Sequence, residues 1–143
     1  MAAPNAEQQV SVAGAAGAFD RLYGLEILEL GETVASARVQ VRDELKQPMG
    51  LIHGGVYASV AESIASIATA RAVRAQDEFA VGLANSTSFL RPITEGTIHA
   101  RAQRLHRGRT TWVWDVTFTD DQGKTCAVTR MTVAVRPQRQ SPT

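Results

Sequence analysis

The chain has 143 residues, which is enough for one domain with a single hydrophobic core and leaves little room for a second. Hydrophobic residues make up 44% of it and charged residues 20%, a balance that excludes a disordered or fibrous protein. Because 15 basic residues nearly cancel 14 acidic ones, no overall electrostatic field favours nucleic acid or a membrane surface as a partner.

The sequence shows no signal for export or membrane insertion. The first residues, MAAPNAEQQVSVAGAAGAF, have neither a basic start nor a sustained apolar stretch, so no secretory signal is predicted. The longest apolar-leaning run is interrupted by Glu62 and Arg71, so no membrane span is expected. One cysteine, Cys126, suits a reducing cytoplasm, and with three scattered histidines it makes no zinc site. We therefore expect a cytoplasmic protein without a metal that acts on a small molecule.

The pattern along the chain predicts one domain over residues 18–139. Residues 1–17 are rich in Ala, Gly and Gln without periodicity, which predicts a loose N-terminal arm, and residues 140–143 are predicted to be a frayed tail. A loop with Pro and Gly residues leads into one long helix from about Gly54 to about Ala75. Alternating apolar and polar residues predict strands over 21–30, 32–41, 79–90, 96–106, 110–120 and 125–136. This order predicts an α+β fold in which an antiparallel sheet packs around one central helix.

The predicted central helix carries small and apolar residues on every face, which indicates burial on nearly all sides. Glu62 is its one acidic residue, and the positions three and four residues away hold only Ala and Ser, so no ion pair within the helix explains it. A Glu that faces solvent, or one bonded to a distant Arg, is the structural alternative. An isolated charge is costly to bury and is seldom kept without a use, so Glu62 is our first candidate for catalysis.

The start of the helix offers a second chemical group. Backbone amides around Gly54 and Gly55 are expected to be unpaired donors at the positive end of the helix dipole, where they can hold a carbonyl oxygen as it becomes an oxyanion. Gly54 and Glu62 are eight residues apart, about 12 Å along a helix, so one chain cannot bring both to the same atom. Two helices related by a two-fold axis can do so, which predicts a homodimer with shared sites.

Three segments resemble a known family. GLIHGG at 50–55 followed by AE at 61–62, NSTSFLRPITEG at 85–96 and TTWVWDVTFTDDQGKTCAVTRMTVAVRP at 110–137 are similar to the acyl-CoA thioesterases of the hot-dog fold. The similarity covers roughly residues 20–139 and is greatest to the branch of 4-hydroxybenzoyl-CoA thioesterases that uses a glutamate on the helix. It implies the hot-dog fold, a helix wrapped by an antiparallel sheet, and a homodimer or dimer of dimers (a homotetramer).

The resemblance also implies roles for individual residues. Glu62 corresponds to the catalytic carboxylate and Gly54 to the residue whose amide polarises the thioester carbonyl. Gln47, from the loop before the helix, helps position that carbonyl, and Ser66 stands where the branch has a threonine near the hydrolytic water. The positions implied to contact coenzyme A or to line its site are His53, Gly55, Arg91, Arg109, Thr110 and Arg139. Arg109 departs from the pattern, since the related enzymes carry a small hydroxyl residue there.

Several other residues have a structural alternative that outweighs a chemical one. His53 could be a general base but more often serves loop structure in this motif. Cys126 lies in an apolar strand without a neighbouring His, so core packing is expected. Trp112 and Trp114 share a strand face, which indicates the core or a subunit interface, and the remaining histidines, His99 and His106, are expected on a solvated surface.

The resemblance implies a thioesterase that hydrolyses an aromatic acyl-CoA, such as 4-hydroxybenzoyl-CoA or phenylacetyl-CoA, without a cofactor other than the coenzyme A of its substrate. Glu62 either attacks the thioester carbon or takes a proton from the attacking water. Three alternatives stay open: a thioesterase for aliphatic acyl-CoA, a module that binds acyl-CoA without catalysis, and a hydratase, which would need a His/Asp pair. Neither nucleic acid nor a membrane is expected as a partner.

Overall fold

The computed structural model describes residue 12 and residues 14–139. Its α-helices and strands, in chain order, are α1 (Ala18–Leu22), β1 (Leu25–Leu30), β2 (Val34–Gln40), α2 (Gly54–Val73), β3 (Glu78–Phe89), β4 (Thr97–Arg107), β5 (Thr111–Thr119) and β6 (Thr125–Pro137). Short 3-10 turns cover Asp43–Leu45 and Arg74–Gln76. None of the helices in these residues is both long and apolar enough to cross a membrane.

The strands form a six-stranded sheet in the order β1-β2-β4-β5-β6-β3, and each neighbouring pair is antiparallel. Strand β3 follows α2 directly in sequence and lies at one edge of the sheet, next to β6. Helix α2 packs against this sheet, with its main contacts to β3 and β6. The predicted α+β fold, an antiparallel sheet with one long central helix, is therefore confirmed.

The core lies between α2 and the inner face of the sheet. Trp112 and Trp114 are almost completely buried, and the indole Nε1 of Trp114 donates a hydrogen bond of 3.0 Å to Thr69 Oγ1 on α2. Cys126 is also fully buried, so the prediction that these residues pack in the core is confirmed. Burial raises the pKa of the Cys126 thiol, a direction opposite to that expected of a reactive cysteine.

Helix α2 packs against the sheet and, at Ser63, against α1, but one of its faces stays open. On this open face Gly55 and Glu62 are exposed and Ser59 is half-buried, and Glu62 lies at its border with β3. A single chain therefore leaves open one side of the helix, and burial of that side stays a prediction that needs a further neighbour. The face that one chain leaves open carries mainly small residues such as Ala and Ser. For this reason the helix shows no polar stripe in its sequence.

The N-terminal region differs from the prediction of a strand over 21–30. Residues 18–22 form helix α1, and β1 begins only at Leu25, after Gly24 adopts a positive φ of 77°. A buried carboxylate explains the helix: Asp20 accepts hydrogen bonds from the Gly17 amide and the Tyr23 hydroxyl, both at 2.9 Å, and from Ser63 Oγ on α2. Burial raises the pKa of the Tyr23 phenol well above its usual range, so this hydroxyl remains a donor.

The predicted N-terminal arm lies mostly outside the described residues, as does the tail at 140–143. Within residues 12–17, Val12 is buried and Ala15 and Ala16 pack against the core. The central helix was predicted to end near Ala75. The α-helix ends at Val73, and a 3-10 turn continues the chain to Asp77, whose φ of 56° lies in the left-handed region.

Strand β3 contains a β-bulge that determines which of its residues face α2. The pairing with β6 shifts between Gly82 and Ala84, so Leu83 is an extra residue. After the bulge, Asn85 and Thr87 pair with Met131 and Thr129, which are buried on the inner face of β6. The inner face of β3 is therefore formed by Ala80, Gly82, Asn85, Thr87 and Phe89.

Replacement of Asp20 by Ala should destabilise the fold, because three donors that now share its carboxylate would lose their buried acceptor. We expect a loss of about 2–3 kcal/mol in the free energy of unfolding, measured by urea denaturation. Asp43→Ala is the control, since Asp43 is almost fully exposed in its pair with Lys46 and such surface pairs contribute about 0–1 kcal/mol. Equal effects of the two substitutions would contradict the role given to Asp20.

Candidate active site

The loop before α2 is held closed by backbone hydrogen bonds. Lys46 and Ile52 form an isolated β-bridge, the His53 amide donates to Leu45 O at 2.9 Å, and the Ile52 amide donates to Ile93 O at 2.9 Å. These bonds fix the approach of the chain to the first turn of α2. The helix therefore begins at Gly54 in a defined position relative to the loop.

His53 caps the helix. Its Nδ1 accepts a 2.8 Å hydrogen bond from the Gly55 amide, so the neutral imidazole carries its proton on Nε2. The Gly55 amide is thus paired, contrary to the expectation that both first amides are unpaired donors. The Gly54 amide, by contrast, meets no acceptor among the described residues, and it lies at the positive end of the helix dipole. One backbone donor is left to stabilise a developing negative charge at the helix start.

Phe89 lies directly against Gly54. A Cβ atom placed on Gly54 would be 2.6 Å from Phe89 Cζ and 2.7 Å from Cε1, so any larger residue here would push the ring away. The Phe89 ring also lies 6.1 Å, centroid to centroid, from the ring of the buried Tyr57. The end of β3 and the start of α2 are therefore in close contact because position 54 has no side chain.

Gln47 folds back onto its own loop. Its Oε1 accepts a hydrogen bond from the Met49 amide, while its backbone accepts from Gly50 at 2.9 Å and donates to Leu51 at 2.8 Å. The side chain is half-buried, and its Nε2 group has no acceptor within the described part of the chain. The amide is thus oriented by the loop with its donor end free.

Glu62 lies on the open side of α2, over Gly82 of β3. A Cβ atom on Gly82 would be 2.8 Å from Glu62 Oε1 and 2.8 Å from Met131 Cε, so the carboxylate occupies the space that a side chain at position 82 would fill. No Lys, Arg or His within residues 14–139 lies within 4.0 Å of this carboxylate. Of the two structural alternatives, a distant Arg partner is therefore not supported in a single chain, whereas a Glu that faces solvent agrees with the exposure of Glu62.

Ser66 lies one helical turn beyond Glu62. Its Oγ is buried and has no hydrogen-bond partner among the described residues. A buried hydroxyl without a partner is uncommon because it loses its interaction with water without compensation. Glu62 offers an acceptor at position i, and Ser66 offers a donor at position i+4 on the same side of the helix.

The residues expected to contact coenzyme A lie at two ends of the sheet. The Arg91 amide bonds to Cys126 O at the start of β6, whereas Thr110 O accepts from the Val135 amide near its end. Nine residues of strand separate these points, about 30 Å at 3.3 Å per residue. Arg109 is adjacent to Thr110, and Arg139 follows Gln138, whose amide bonds to Asp77 O beside the start of β3. A single chain therefore separates Arg91 from Arg109, Thr110 and Arg139.

A cavity of about 430 Å³ opens between α1 and the start of α2. Aromatic and aliphatic side chains from α1 form one wall, and His53, Gly55 and Ser59 line the side next to the helix start. This wall contains Phe19 and Leu22 of α1 and Tyr23, which follows the helix directly. A larger cavity of about 540 Å³ lies near Arg71 and Arg74 at the other end of α2, away from the Gly54 amide. The cavity of about 430 Å³ is therefore the one next to the start of α2, where His53 and Gly55 line it.

Three residues of this region were not singled out from the sequence. Gly82 makes room for Glu62, Asn85 donates a 2.9 Å hydrogen bond from Nδ2 to Ala58 O on α2, and Phe89 covers Gly54. A glycine inside a strand pattern is a known signal for a bulge or for close approach of another group, so Gly82 could have been found. Nothing in the sequence alone indicates the partners of Asn85 and Phe89, because these depend on how β3 is aligned with the helix.

Comparisons with known proteins agree with this architecture. Residues 49–127, more than half of the chain, match the family described as Thioesterase superfamily. The Mycobacterium tuberculosis protein Rv1847, whose name describes an esterase, is 42% identical over 111 residues, which are 76% of this chain and 79% of that protein. A structure of Rv1847 superimposes with a TM-score of 0.82 at 38% identity and covers 85% of this chain and 98% of its own.

Two further proteins extend the comparison to named thioester hydrolases. The 1,4-dihydroxy-2-naphthoyl-CoA hydrolase of Listeria monocytogenes is 34% identical over 116 residues, 81% of this chain and 94% of that enzyme. The structure of a mutant of thioesterase PA1618 from Pseudomonas aeruginosa has a TM-score of 0.83 at 31% identity and covers 96% of this chain and 97% of its own. The chain therefore belongs to the Thioesterase superfamily, and it is a thioester hydrolase with the hot-dog fold.

The contact between Glu62 and Gly82 can be tested by Gly82→Ala, since the added methyl group must displace the carboxylate or Met131. If Glu62 takes part in hydrolysis, we expect kcat for a thioester substrate to fall at least about tenfold, because small displacements of a reacting group are costly. Gly17→Ala is the control, as its added Cβ would make only an ordinary contact of 3.6 Å with Asp20. Unchanged kcat in folded Gly82→Ala would show that this contact has no role in the reaction.

Proposed function

We propose that this thioester hydrolase cleaves an aromatic acyl-CoA, such as 4-hydroxybenzoyl-CoA or phenylacetyl-CoA, to the free acid and coenzyme A. The observation that carries the proposal is the presence on one helix of an amide without an acceptor, at Gly54, and of a carboxylate without an ionic partner, at Glu62, both judged among residues 14–139. An oxyanion donor and a carboxylate are the two groups that acyl transfer to water requires. The assignment to the 4-hydroxybenzoyl-CoA branch is part of this proposal.

In the proposed mechanism, the Gly54 amide donates to the thioester carbonyl oxygen and stabilises its negative charge as the tetrahedral intermediate forms. Glu62 takes a proton from a water molecule whose oxygen adds to the carbonyl carbon, or the carboxylate itself adds and water later releases the acid. When the C–S bond breaks, the electron pair leaves with sulfur. Because a thiol has a pKa of about 8.5, the thiolate is a good leaving group and no dedicated general acid is needed.

Ser66 and Gln47 are proposed to complete the reacting centre. The buried Oγ of Ser66, which has no partner within the described part of the chain, is one turn from Glu62 and is suited to hold the hydrolytic water. The free Nε2 group of Gln47 can donate a second hydrogen bond to the substrate near the thioester carbonyl. His53 contributes indirectly, because its bond to the Gly55 amide orients the first turn of the helix.

The cavity next to the helix start supports an aromatic acyl group. Its wall contains the rings of Phe19 and Tyr23, and its volume of about 430 Å³ lies in the range of small-molecule sites. Flat rings pack well against aromatic side chains in edge-to-face or offset geometry. A relative that hydrolyses a naphthoyl-CoA, an aromatic thioester, is consistent with this class of substrate. No cofactor beyond the coenzyme A of the substrate is part of the proposal.

We further propose that each site is shared by two subunits of a homodimer or of a dimer of dimers. Gly54 and Glu62 lie about 12 Å apart on one rigid helix. The edge strand β3 exposes apolar side chains, with Val81 52% and Leu83 62% exposed, and such an edge is a typical surface for pairing with a second strand. If two β3 strands pair antiparallel about a two-fold axis, the Gly54 end of one chain comes beside Glu62 of the other.

The same pairing accounts for the separated coenzyme A residues. Arg91 lies at the Gly54 end of β3, whereas Arg139 and Thr110 lie near the opposite end. Antiparallel pairing of two β3 strands therefore brings Arg91 of one subunit toward Thr110 and Arg139 of its partner. Guanidinium groups from both chains can then hold the phosphates of one nucleotide. Arg109 is next to Thr110 and is exposed, so a contact with the nucleotide is also proposed for it.

Glu62→Gln should lower kcat at least about a hundredfold while KM changes little, because loss of a catalytic acid or base typically costs 10²–10⁴ in rate. The measurement is release of coenzyme A from benzoyl-, hydroxybenzoyl-, phenylacetyl- and aliphatic acyl-CoA esters, with wild-type protein as the reference. Preference for the aryl esters supports the proposed substrate, whereas preference for the aliphatic ones selects the alternative. Rates for Glu62→Gln near those of the wild type would exclude Glu62 from the chemistry.

A mixture of two inactive variants should recover activity if the site is shared. Glu62→Gln removes the carboxylate, and Gly54→Leu blocks the helix amide, a loss of about 3–4 kcal/mol in transition-state stabilisation by the precedent of oxyanion donors. After random subunit exchange half of the dimers are mixed, and each has one intact site of two. About a quarter of the wild-type activity should therefore return. Native mass spectrometry must verify the mixed dimers, and inactive mixed dimers would refute a shared site.

A further inference from the structure

Strand β3 contacts α2 at three successive points along its inner face. Glu62 lies over Gly82, Asn85 bonds to the carbonyl of Ala58, and Phe89 covers Gly54. Ala58 is four residues from both Gly54 and Glu62, so the middle contact lies halfway between the two reacting positions. It is also the one hydrogen bond from a β3 side chain to the backbone of α2 within the described residues.

A chain of hydrogen bonds fixes the orientation of the Asn85 amide. Thr87 Oγ1 donates to Asn85 Oδ1 at 2.9 Å, and Thr87 Oγ1 lies 2.9 Å from Oγ1 of the buried Thr129 on β6. A hydroxyl has one proton, so Thr129 must be the donor to Thr87. With its oxygen occupied by Thr87, Asn85 directs its NH₂ group at Ala58 O, 2.9 Å away.

The carbonyl of Ala58 also belongs to the helix ladder, in which it accepts from the amide of Glu62. Asn85 therefore bonds to the same peptide oxygen that holds the backbone of Glu62. A shift of α2 along β3 would break this bond and would move Gly54 and Glu62 together relative to the edge of the sheet.

We propose that Asn85 is a positioning residue that sets the placement of α2 along β3. This inference rests on the proposed function, in which β3 joins two subunits and the Gly54 amide of one meets Glu62 of the other. Since β3 links the two chains, the attachment of each helix to its own β3 determines how closely the two groups approach a single thioester. Asn85 itself touches neither the substrate nor the reacting atoms in this proposal.

The chain offers a matched control for Asn85. Gln40 Nε2 donates to Gly96 O at 2.9 Å, and Gln40 Oε1 accepts from Thr97 Oγ1 at 3.2 Å. The same pattern of amide, carbonyl and threonine hydroxyl thus occurs at an exposed place between β2 and β4. Gln40 makes no bond to α2, so its substitution reports the general cost of losing such a bond.

The test compares Asn85→Asp and Asn85→Ala with Gln40→Glu and Gln40→Ala. An ionised Asp at position 85 keeps the shape of Asn but presents an acceptor to Ala58 O. Of the four substitutions, Asn85→Asp should therefore lower kcat the most. We expect kcat to fall at least about tenfold in the Asn85 variants with KM within about threefold, because misplacement of reacting groups affects the chemical step. The Gln40 variants should keep both constants within about twofold, while the melting temperatures of all four variants fall by similar amounts.

Hydrogen exchange of backbone amides gives a readout that does not depend on activity. In the Asn85 variants the Glu62 amide should exchange at least about fivefold faster than in the wild type, with no change in the Gln40 variants. Equal losses of kcat in both pairs of variants, or unchanged exchange at Glu62, would overturn the positioning role. If the wild type hydrolyses no acyl-CoA ester but exchange at Glu62 still quickens in the Asn85 variants, the proposed function fails. In that case Asn85 stabilises the contact between β3 and α2 and has no role in a reaction.

Discussion

The α-helix that carries both Gly54 and Glu62 holds them about 12 Å apart, and no side-chain rotation can remove that separation. The backbone of a helix buried against a sheet is among the most rigid parts of a protein, so the distance is a property of the fold. A carbonyl group served by both residues must lie between two such helices. In the proposed dimer, the half-buried small residues of α2 and the exposed apolar side chains of β3 belong to the surface that a second chain covers.

The chemistry of the helix start depends on what is already paired there. His53 occupies the Gly55 amide and leaves the Gly54 amide as the remaining donor. A helix dipole favours negative charge at this end, but direction and distance determine whether a donor stabilises an oxyanion. The histidine cap and the closed loop from Lys46 to Ile52 fix that direction before any substrate is present. In the proposed function, the helix start is thus preorganised by the His53 side chain and by the backbone of the loop before it.

Most of the sheet could be predicted because alternation of apolar and polar residues reports directly on one buried face. The alternation in β5, where Trp112 and Trp114 face the core, is a clear case. Helix α1 was missed because its stability comes from Asp20, whose partners Tyr23 and Ser63 meet only in the folded chain. A sequence pattern describes neighbours along the chain, and a cluster that joins residues 43 positions apart leaves no local signal.

The candidate site, like the sheet, could be predicted where it depends on residues that are close in sequence. Glu62 and Gly54 stand out as an isolated charge and as a glycine at a helix start, both of which are local features. Asn85 and Phe89 act through their alignment with α2, which depends on where the bulge in β3 lies. The free hydroxyl of Ser66 is likewise visible only once its surroundings are known. Local chemistry could therefore be anticipated, but the contacts between strand and helix could not.

The bulge at Leu83 also restricts how the length of β3 can change. Side chains alternate between the two faces of a strand, and the extra residue places both Gly82 and Asn85 on the inner face at a spacing of three. Loss of the extra residue Leu83 would restore regular alternation and would leave Gly82 and Asn85 on the inner face, two positions apart. Loss of one residue between Asn85 and Phe89, where the pairing is regular, would instead turn Phe89 outward, so a single deletion keeps the inner face only at the bulge. Such a rule acts on chain length alone and is independent of which residues are substituted.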